Sequence, residues 1–451
     1  MESRNPWTGQ VLQAYEAHTA KEQNVILDQS VQAYEHWSKT SFVDRAKYME
    51  NLGVLLQQRE REFAQLITSE TGKLYSESIV EVQKCSWLCE YYAEFGAYLL
   101  EESRIQSDAT ASGVSYHPLG PILGIMPWNF PFWQVLRFAV PTIIAGNTIL
   151  VKHASNVTGC ALALERLFLE AGFPKNSFQT LILPGKEMEA IVRAKQVKGV
   201  AITGGEQAGR KVASWSAEEL KPHVLELGGS DPFVVLEDAD LNIVVPNAIK
   251  SRFGNAGQVC IAAKRFIIAE NLYDDFVERL SMRLGVFEPG DPMNNSTQLA
   301  PLASPAFCGA LQIQLDEILR HGGKRILGTD WAPQDGCCFP AQVLVDLPDH
   351  PSVKEELFGP VALIYKVSSE EEAIAIANDT EFGLGASVWT ANSEKGKRIA
   401  QQIQAGAVFV NGVVKSDPRL PFGGTKNSGY GRELAREGIR AFTNSQTFWV
   451  N

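Results

Sequence analysis

Between residues 121 and 227 the chain alternates short apolar runs with helical patterns, and this alternation limits the folds that it can adopt. Four runs have the length and composition of buried strands, at 122–126, 148–152, 178–183 and 199–203. Successive parallel strands are joined by right-handed crossover connections, which are usually helices. The alternation of strand and helix patterns therefore predicts a parallel α/β sheet. A similar pattern returns after residue 260, with strand-like runs at 265–268, 339–345 and 361–365. It predicts a second α/β unit.

Composition narrows the class of partner. The chain has 451 residues and a formal net charge of −11, which argues against nucleic acid or an anionic membrane as the main partner. The most apolar stretch, 138–151, is interrupted by Pro141, Gly146 and Asn147 and is not expected to span a bilayer. The N-terminus lacks the apolar centre of a signal peptide. Seven scattered cysteines fit a reducing compartment, so we expect a cytoplasmic protein.

Residues 21–103 show helical spacing of apolar side chains almost throughout. We interpret this region as scaffold without chemistry of its own. Cys85 and Cys89 lie one helical turn apart, but no cluster of His or Cys completes a metal site around them. The sequence therefore predicts no metal centre.

A thiol stands in a segment that glycine allows to turn tightly. Gly254 and Gly257 tolerate backbone angles that other residues resist, so the loop is predicted to present Cys260 beside the strand at 265–268 with free N–H groups. Deprotonated cysteine attacks carbonyl carbon readily. The alternative is that Cys260 is a small buried hydrophobe, as many cysteines are.

Two further polar residues have settings that suit catalysis. Asn129 lies between Pro127 and Pro131, which stiffen its turn, so its amide is either a donor to a developing oxyanion or the cap of a helix at 133–140. Glu226 is the single carboxylate of an apolar run. Burial would raise its pKa towards neutrality, as a general base requires. The alternative is a core glutamate in a salt bridge.

The carboxyl ends of the predicted strands carry candidate ligand contacts. Lys152 ends one strand ahead of a helix at 159–171, where doubly wound sheets bind ligands, and Ser155 can reach the same ribose or phosphate. Gly204 and Gly205 open another helix, whose N-terminus suits a phosphate. The glycine spacing is not the dinucleotide fingerprint, so this signal is weak alone.

Seven motifs together resemble the aldehyde dehydrogenase superfamily over nearly the whole chain. They are 127–131, Lys152 with Ser155, 203–205, 226–229, 257–260, 356–360 and 421–424. Within the superfamily the chain is most similar to bacterial and cyanobacterial succinate-semialdehyde dehydrogenases, at 128–135, 152–157, 226–232 and 414–426. The resemblance implies an α/β fold with a Rossmann-type cofactor domain, an α/β catalytic domain and a small β oligomerisation element.

The resemblance also implies a reaction, the NAD(P)-dependent oxidation of an aldehyde to a carboxylic acid. In such enzymes the thiol corresponding to Cys260 attacks the aldehyde, and the oxyanion is held by the Asn129 amide and the Cys260 N–H. Hydride passes to the nicotinamide, and the Glu226 carboxylate activates the water that releases the acid. No second cysteine adjoins Cys260, so a local disulfide is not expected to protect it.

Cofactor contacts are carried over by the same resemblance. They are assigned to Trp128, Lys152, Ser155, Gly205, Leu227, Glu356 and Phe358. The position of Ser155 is often Glu in the family, where the carboxylate repels a 2′-phosphate. A small neutral residue there, with Lys152 nearby, favours NADP over NAD, although NAD remains possible.

Substrate contacts are predicted from the same comparison. Arg137 lies eight residues after Asn129 and is positioned to bind a distal carboxylate, or else forms a structural ion pair. Ser416 resembles a second carboxylate contact, and Trp133 and Phe422 would wall the aldehyde tunnel. We expect oxidation of succinate semialdehyde. The alternatives are glutarate semialdehyde or an amino aldehyde with the same mechanism, or a catalytically silent cofactor-binding relative.

Domain boundaries follow from these assignments. Residues 1–103 and 121–227 are predicted as the cofactor-binding domain, 228–430 as the catalytic domain, and 104–120 with 431–451 as oligomerisation strands. The expected partners are a small-molecule substrate and further copies of the chain, in a homodimer or homotetramer.

Overall fold

The computed structural model describes all 451 residues, which form fourteen α-helices and twenty strands. The helices are α1 (Ala20–Trp37), α2 (Phe42–Gln58), α3 (Glu60–Thr71), α4 (Tyr75–Leu99), α5 (Trp133–Ile144), α6 (Thr158–Glu170), α7 (Met188–Arg193), α8 (Glu206–Glu218), α9 (Leu241–Phe253), α10 (Glu270–Leu284), α11 (Pro305–Arg320), α12 (Glu370–Asn378), α13 (Ser393–Ala400) and α14 (Ala435–Arg440).

The strands are distributed over five sheets. They are β1 (Glu2–Arg4), β2 (Val11–Ala14), β3 (Ser103–Arg104), β4 (Ala111–Pro118), β5 (Pro121–Met126), β6 (Thr148–His153), β7 (Phe178–Thr180), β8 (Gly199–Thr203), β9 (His223–Glu226), β10 (Asp231–Val235), β11 (Ala263–Ala269), β12 (Lys324–Leu327), β13 (Gln342–Val345), β14 (Val361–Val367), β15 (Phe382–Gly383), β16 (Gly385–Trp389), β17 (Ala407–Val410), β18 (Thr425–Lys426), β19 (Gly429–Tyr430) and β20 (Thr443–Val450).

A six-stranded sheet confirms the alternating pattern of residues 121–227. Its order is β19-β9-β8-β5-β6-β7, and every pair except β19 with β9 is parallel. The strand order reverses between β5 and β8, so the chain leaves these two strands in opposite directions. That reversal opens a crevice at their carboxyl ends, where Asn129 follows β5 and Gly205 follows β8.

A seven-stranded sheet forms the second α/β unit. Its order is β12-β13-β14-β11-β10-β16-β17, parallel except for β12 at one edge. The loop that carries Cys260 connects α9 to β11 in the interior of this sheet. Phe233 and Phe266 of the neighbouring strands β10 and β11 are fully buried beneath it.

The N-terminal helices confirm the helical interpretation of residues 21–103. Helix α1 contacts strands of the six-stranded sheet, whereas α2, α3 and α4 pack outside the helices α5 and α6 that lie on it. The core between them contains large side chains that are almost completely buried, including Trp37, Leu52, Phe63, Leu88 and Phe138. Helix α4 packs against α2, α3 and α5. It therefore lies between the scaffold and the helix that follows the Asn129 loop.

A separate three-stranded antiparallel sheet contains the predicted oligomerisation strands. Its order is β20-β4-β3, and β20 pairs with β4 over its full length, from Thr443 opposite Pro118 to Val450 opposite Ala111. The C-terminal strand thus pairs with β4 of the same chain, in a sheet separate from the six-stranded one. No helix has both the length and the apolar composition needed to cross a membrane.

Candidate active site

The turn before Cys260 contains consecutive residues in the left-handed region of backbone space. Asn255 and Ala256 both have φ of 50°, and Gly257 has φ of 73°. A side chain at Gly257 would overlap Arg252 and the carbonyl of Gly359, so glycine is required there. Gly254 has φ of −57°, and its expected role in the tight turn is wrong.

Buried hydrogen bonds hold this strained turn. The Arg252 guanidinium is fully buried and donates to the carbonyls of Gly257 at 2.7 Å and Gly359 at 2.5 Å. The Asn255 N–H donates to Glu77 Oε1 at 2.8 Å. Non-glycine residues keep φ > 0 only where their surroundings enforce it, and these contacts supply that enforcement.

Lys264 determines which way the Cys260 peptide faces. Its buried Nζ donates to the carbonyls of Val259 at 2.9 Å and Cys260 at 2.5 Å. The Cys260 N–H belongs to the same planar trans peptide as the Val259 carbonyl, and the two groups point in opposite directions. The Cys260 N–H therefore points away from Lys264. That N–H makes no hydrogen bond within the chain and is free to donate to an oxyanion.

The Asn129 amide is held against the same loop. Its Nδ2 donates to the carbonyl of Gln258 at 2.9 Å, and its own backbone carbonyl accepts from Asn255 Nδ2 at 3.1 Å. A primary amide has two N–H groups, so one remains for a ligand. Asn129 does not cap α5, whose first residue is Trp133 and which has no side-chain cap of this kind. The helix-cap alternative is therefore wrong.

Helix α4 supplies the groups that replace such a cap, in addition to the packing expected of a scaffold helix. Glu81 accepts the N–H groups of Phe132 at 2.9 Å and Trp133 at 3.0 Å, and it forms a buried ion pair with Lys73. Glu77, one turn earlier, is the residue that binds Asn255. The sequence carried one signal of this role: residues 77, 81 and 84 are charged at helical spacing on a face that also carries the buried Leu88.

Glu226 ends β9 and is almost completely buried. Neither carboxyl oxygen has a hydrogen-bond partner, and no Lys or Arg lies within ion-pair distance. A Cβ on Gly423 would lie 2.6 Å from Oε1, so the loop after Phe422 packs directly on the carboxyl group. Burial, reinforced by Glu433, raises the pKa of Glu226 well above its ordinary value, while Arg137 opposes the shift. The salt-bridged alternative is therefore wrong.

The Cys260 thiol is protonated at neutral pH in this state. Burial raises its pKa to about 11, although the positive charges of Arg137 and Lys264 oppose the rise. Of the other six free cysteines, five are buried and Cys338 is half-buried. Cys260 is half-buried as well, so solvent access alone does not distinguish it from Cys338. Its neighbouring groups distinguish it.

Arg137 is buried and its guanidinium forms an ion pair with Glu433. Its carbon Cζ lies 4.5 Å from the centre of the Phe422 ring, and Nη2 lies 3.4 Å from Thr203 Oγ1. The structural ion pair that the sequence left open is therefore present. Nη1 makes no hydrogen bond within the chain, so a substrate contact by Arg137 remains a prediction.

Trp133, Phe422 and Ser416 are all buried and lie near these groups. A residue that sequence reasoning missed joins two of them. The Nζ of Lys84 donates to Ser416 Oγ at 2.8 Å and lies 3.9 Å from the centre of the Trp133 ring. The predicted substrate residues thus share one wall with a lysine of α4.

The predicted cofactor residues lie along the crevice edge. Trp128 stacks on Phe307 with ring centres 4.9 Å apart and meets Phe358 edge-on at 5.9 Å. Glu356 accepts the N–H of Gly229 at 3.1 Å, and a side chain at Gly228 would overlap its carboxylate. Phe307 carried no motif in the sequence, because only the fold brings α11 to this loop.

The remaining cofactor positions form a polar edge that suits a dinucleotide phosphate. Lys152 has no carboxylate partner at the end of β6, and burial lowers its pKa. Ser155 is exposed. Gly205 precedes α8 with no atom near its missing Cβ and no side-chain cap, which leaves the first N–H groups of the helix free. Leu227 packs its side chain against Gly209 of the same helix.

A cleft of about 1070 Å³ opens between the two α/β units. Its walls include Glu206, Gly228, Glu356, Phe382 and Asn427. Glu356 is the only predicted site residue among its lining residues, and Cys260 is not one of them. The cleft therefore borders one predicted cofactor residue, and the reactive groups are identified by their chemistry rather than by the size of the cavity.

Comparison with known proteins gives a consistent result. Residues 1–448 match the aldehyde dehydrogenase family. A probable succinate-semialdehyde dehydrogenase [NADP(+)] of Synechocystis is 44% identical over 447 residues, covering 99% of this chain and 98% of the relative. Succinate-semialdehyde dehydrogenase [NADP(+)] 1 of Mycobacterium tuberculosis is 41% identical over 458 residues, covering 99% and 98%.

Solved structures show the same fold. The succinic semialdehyde dehydrogenase of Streptococcus pyogenes, in complex with NADP+, superimposes with a TM-score of 0.97 at 35% identity, covering 100% of this chain and 99% of that one. The match extends over both α/β units and the three-stranded sheet. This chain belongs to the aldehyde dehydrogenase family.

Proposed function

We propose that this protein oxidises succinate semialdehyde to succinate with NADP+ as the preferred oxidant. The observation that carries the chemistry is the arrangement around Cys260. The Cys260 thiol has an unbonded peptide N–H and a spare Asn129 amide hydrogen beside its loop, and the charge of Arg137 acts on both Cys260 and the unpaired, buried Glu226. The substrate is supported by two relatives of that name, 44% and 41% identical over nearly their whole length.

The side chains divide the reaction between them. Cys260 Sγ loses its proton to solvent and bonds to the aldehyde carbon, and the carbonyl oxygen becomes an oxyanion that accepts from the Asn129 amide and the Cys260 N–H. When bound, NADP+ supplies the acceptor for the hydride that leaves the same carbon. Glu226 then takes a proton from water as the water attacks the thioester, and Cys260 leaves as the carboxylate forms. Overall, aldehyde, NADP+ and water give carboxylate, NADPH and two protons.

The cofactor residues fit this assignment. Trp128, Phe358 and Glu356 would hold the nicotinamide half, while Lys152, Ser155 and the start of α8 at Gly205 would hold the ribose and phosphates of the other half. Ser155 is small and exposed, and the nearby Lys152 charge has no carboxylate partner. A 2′-phosphate is therefore attracted and meets no repelling carboxylate at this position.

We propose further that the sheet formed by β3, β4 and β20 joins copies of the chain in a homodimer or homotetramer. Its C-terminal strand exposes Trp449 and Val450, each about half accessible. Exposed apolar residues on an open sheet edge favour association. A cytoplasmic location is part of the same proposal, and all seven cysteines are free, as a reducing compartment requires.

Initial rates with succinate semialdehyde, measured in parallel with NADP+ and NAD+, test the function. We expect a high kcat/KM with NADP+ and a lower one with NAD+. Turnover with NAD+ alone would refute the cofactor assignment and leave the reaction standing. Failure with both cofactors, while an amino aldehyde reacts, would refute the substrate.

A further inference from the structure

We propose that Lys84 and Ser416 bind the distal carboxylate of the substrate, so that helix α4 determines the preference for an ω-carboxy aldehyde. This inference rests on the proposed oxidation of succinate semialdehyde. It adds to the predicted role of Arg137 a second cation, from a part of the chain in which no substrate contact was expected.

The geometry of α4 brings Lys84 to the pocket. Residues 77, 81 and 84 lie on one face of the helix, because residues four and three positions apart are neighbours on a helix surface. Glu77 binds the loop of Cys260, and Glu81 binds the start of α5. Lys84 continues the same face, and its Nζ lies over the Trp133 ring at 3.9 Å. The face therefore follows the pocket wall from the thiol loop to Trp133.

Lys84 is distinguished from the neighbouring buried cations by its lack of a counter-charge. Lys73 forms an ion pair with Glu81, Arg137 with Glu433, and Lys264 with Glu356 at 3.7 Å. The Lys84 Nζ has no carboxylate within ion-pair distance, and its polar contact is the Ser416 hydroxyl at 2.8 Å. A hydroxyl and an aromatic face accept one hydrogen each, so the ammonium has capacity for an anion.

The charges around Lys84 show that an anion would be favourable there. Burial, together with the positive charge of Arg137, lowers its pKa to about 8. Glu81 and Cys85 of the same helix and Asp417 of the loop after β17 act in the opposite direction, but none compensates the burial. A bound carboxylate stabilises the protonated amine and relieves the repulsion between the two cations.

Ser416 belongs to the same contact. It is buried and precedes Asp417, whose carboxylate is committed to Arg419 at 2.7 Å. The Ser416 hydroxyl accepts from Lys84 and retains its own hydrogen for a carboxylate oxygen. The two side chains thus offer an ammonium and a hydroxyl donor side by side.

The alternative is that Lys84 is a structural tie, holding the loop of Ser416 against α4. A tie would affect all aldehydes equally, whereas a carboxylate contact affects only those with a carboxylate. Butanal has the same four-carbon chain as succinate semialdehyde with a methyl group in place of the carboxylate. The ratio of kcat/KM for the two aldehydes therefore isolates the contact.

We expect Lys84→Met to lower this ratio about 10- to 100-fold, the effect of losing a hydrogen bond to a charged group. The methionine chain retains the apolar packing on Trp133. Lys84→Arg should recover most of the ratio, and Ser416→Ala should lower it by a smaller factor. Lys39→Met is the matched control, because Lys39 is exposed at the end of α1 and has no ion pair. Unfolding temperatures of all variants report whether the fold is intact.

The pH dependence gives a second readout. In the wild type Lys84 loses its charge as pH rises through about 8, so the ratio should fall about tenfold between pH 7 and pH 9. In Lys84→Arg the guanidinium stays charged and the ratio should stay constant over this range.

Two results would overturn the inference. An unchanged ratio in Lys84→Met, whether or not both aldehydes lose activity equally and the unfolding temperature falls, would show a structural tie while the proposed function stands. A wild-type enzyme with no preference for succinate semialdehyde over butanal would refute the proposed substrate itself, and the carboxylate site with it.

Discussion

Glu81 is the residue whose loss should reveal how far the site depends on α4. Its side chain and that of Lys73 are essentially inaccessible, and they form an ion pair. Glu81→Gln keeps an oxygen for the N–H groups of Phe132 and Trp133 but removes the charge that faces Lys73. Removing one partner of a buried pair costs about 3–5 kcal/mol, because the other charge stays buried and unpaired. We therefore expect the free energy of unfolding to fall by about that amount.

Two further variants separate the contribution of the ion pair to this loss of stability from that of the hydrogen bonds to α5. Glu81→Leu also leaves two buried N–H groups without an acceptor, at about 1–3 kcal/mol each, so it should be more destabilising than Glu81→Gln. Lys73→Met combined with Glu81→Gln should recover part of the loss, because no unpaired charge remains. The matched control is Glu94→Gln, an exposed position on the same helix.

Denaturant unfolding of the cofactor-free protein, followed by circular dichroism, measures these differences. kcat with succinate semialdehyde should fall in parallel, since Glu81 positions the start of α5 next to the Asn129 loop. If Glu81→Gln unfolds at the same denaturant concentration as Glu94→Gln, the ion pair does not support the fold. Equal losses for Glu81→Gln and Glu81→Leu would refute the role of its oxygen as the acceptor at α5.

Three other predictions concern the thiol, its turn and the cofactor. Burial raises the pKa of Cys260 to about 11, so the rate of its alkylation by iodoacetamide should increase about tenfold per pH unit from pH 7 to 10. Peptide mass spectrometry measures this rate, and a plateau near pH 8 would contradict the prediction. Gly257→Ala should reduce kcat at least 100-fold, since the new side chain would displace Arg252. Gly254→Ala should change kcat little, because the new side chain would have no contact nearer than 3.6 Å. Equal kinetics of the two variants would refute the requirement for glycine at position 257. Ser155→Glu should lower the ratio of kcat/KM for NADP+ over NAD+ at least tenfold, and an unchanged ratio would show that another group reads the 2′-phosphate.

Comparison of residues 122–203 with the structure shows where pattern reasoning succeeds. The four strand runs there become β5 to β8 because each is a short apolar segment bounded by turn residues, and the local pattern is enough to define it. The third ends at Thr180 instead of residue 183. Strand ends depend on the neighbouring strand, which the local pattern does not contain.

The surroundings of single polar residues were harder to predict. For Asn129 and Glu226 the residue type allowed two interpretations. The contact of Asn129 with the distant Gln258 excluded the structural one in the first case, and the lack of any partner for the Glu226 carboxyl group excluded it in the second. For Arg137 the structure shows the ion-pair alternative, with Glu433, which lies 296 positions later in the chain. Burial and partners are properties of the folded chain, so only the structure reports them.

The sequence by itself determined the order of strands and helices, the positions of Cys260, Asn129 and Glu226, and the family to which they belong. Those features depend on short-range patterns and on residue identity. Only the tertiary structure showed that α4 reaches the pocket, with Glu77 on the thiol loop and Lys84 on Ser416. The physical reason is that a helix residue acquires its function from what packs against it, and here the partners are roughly 180 and 330 residues away in the chain.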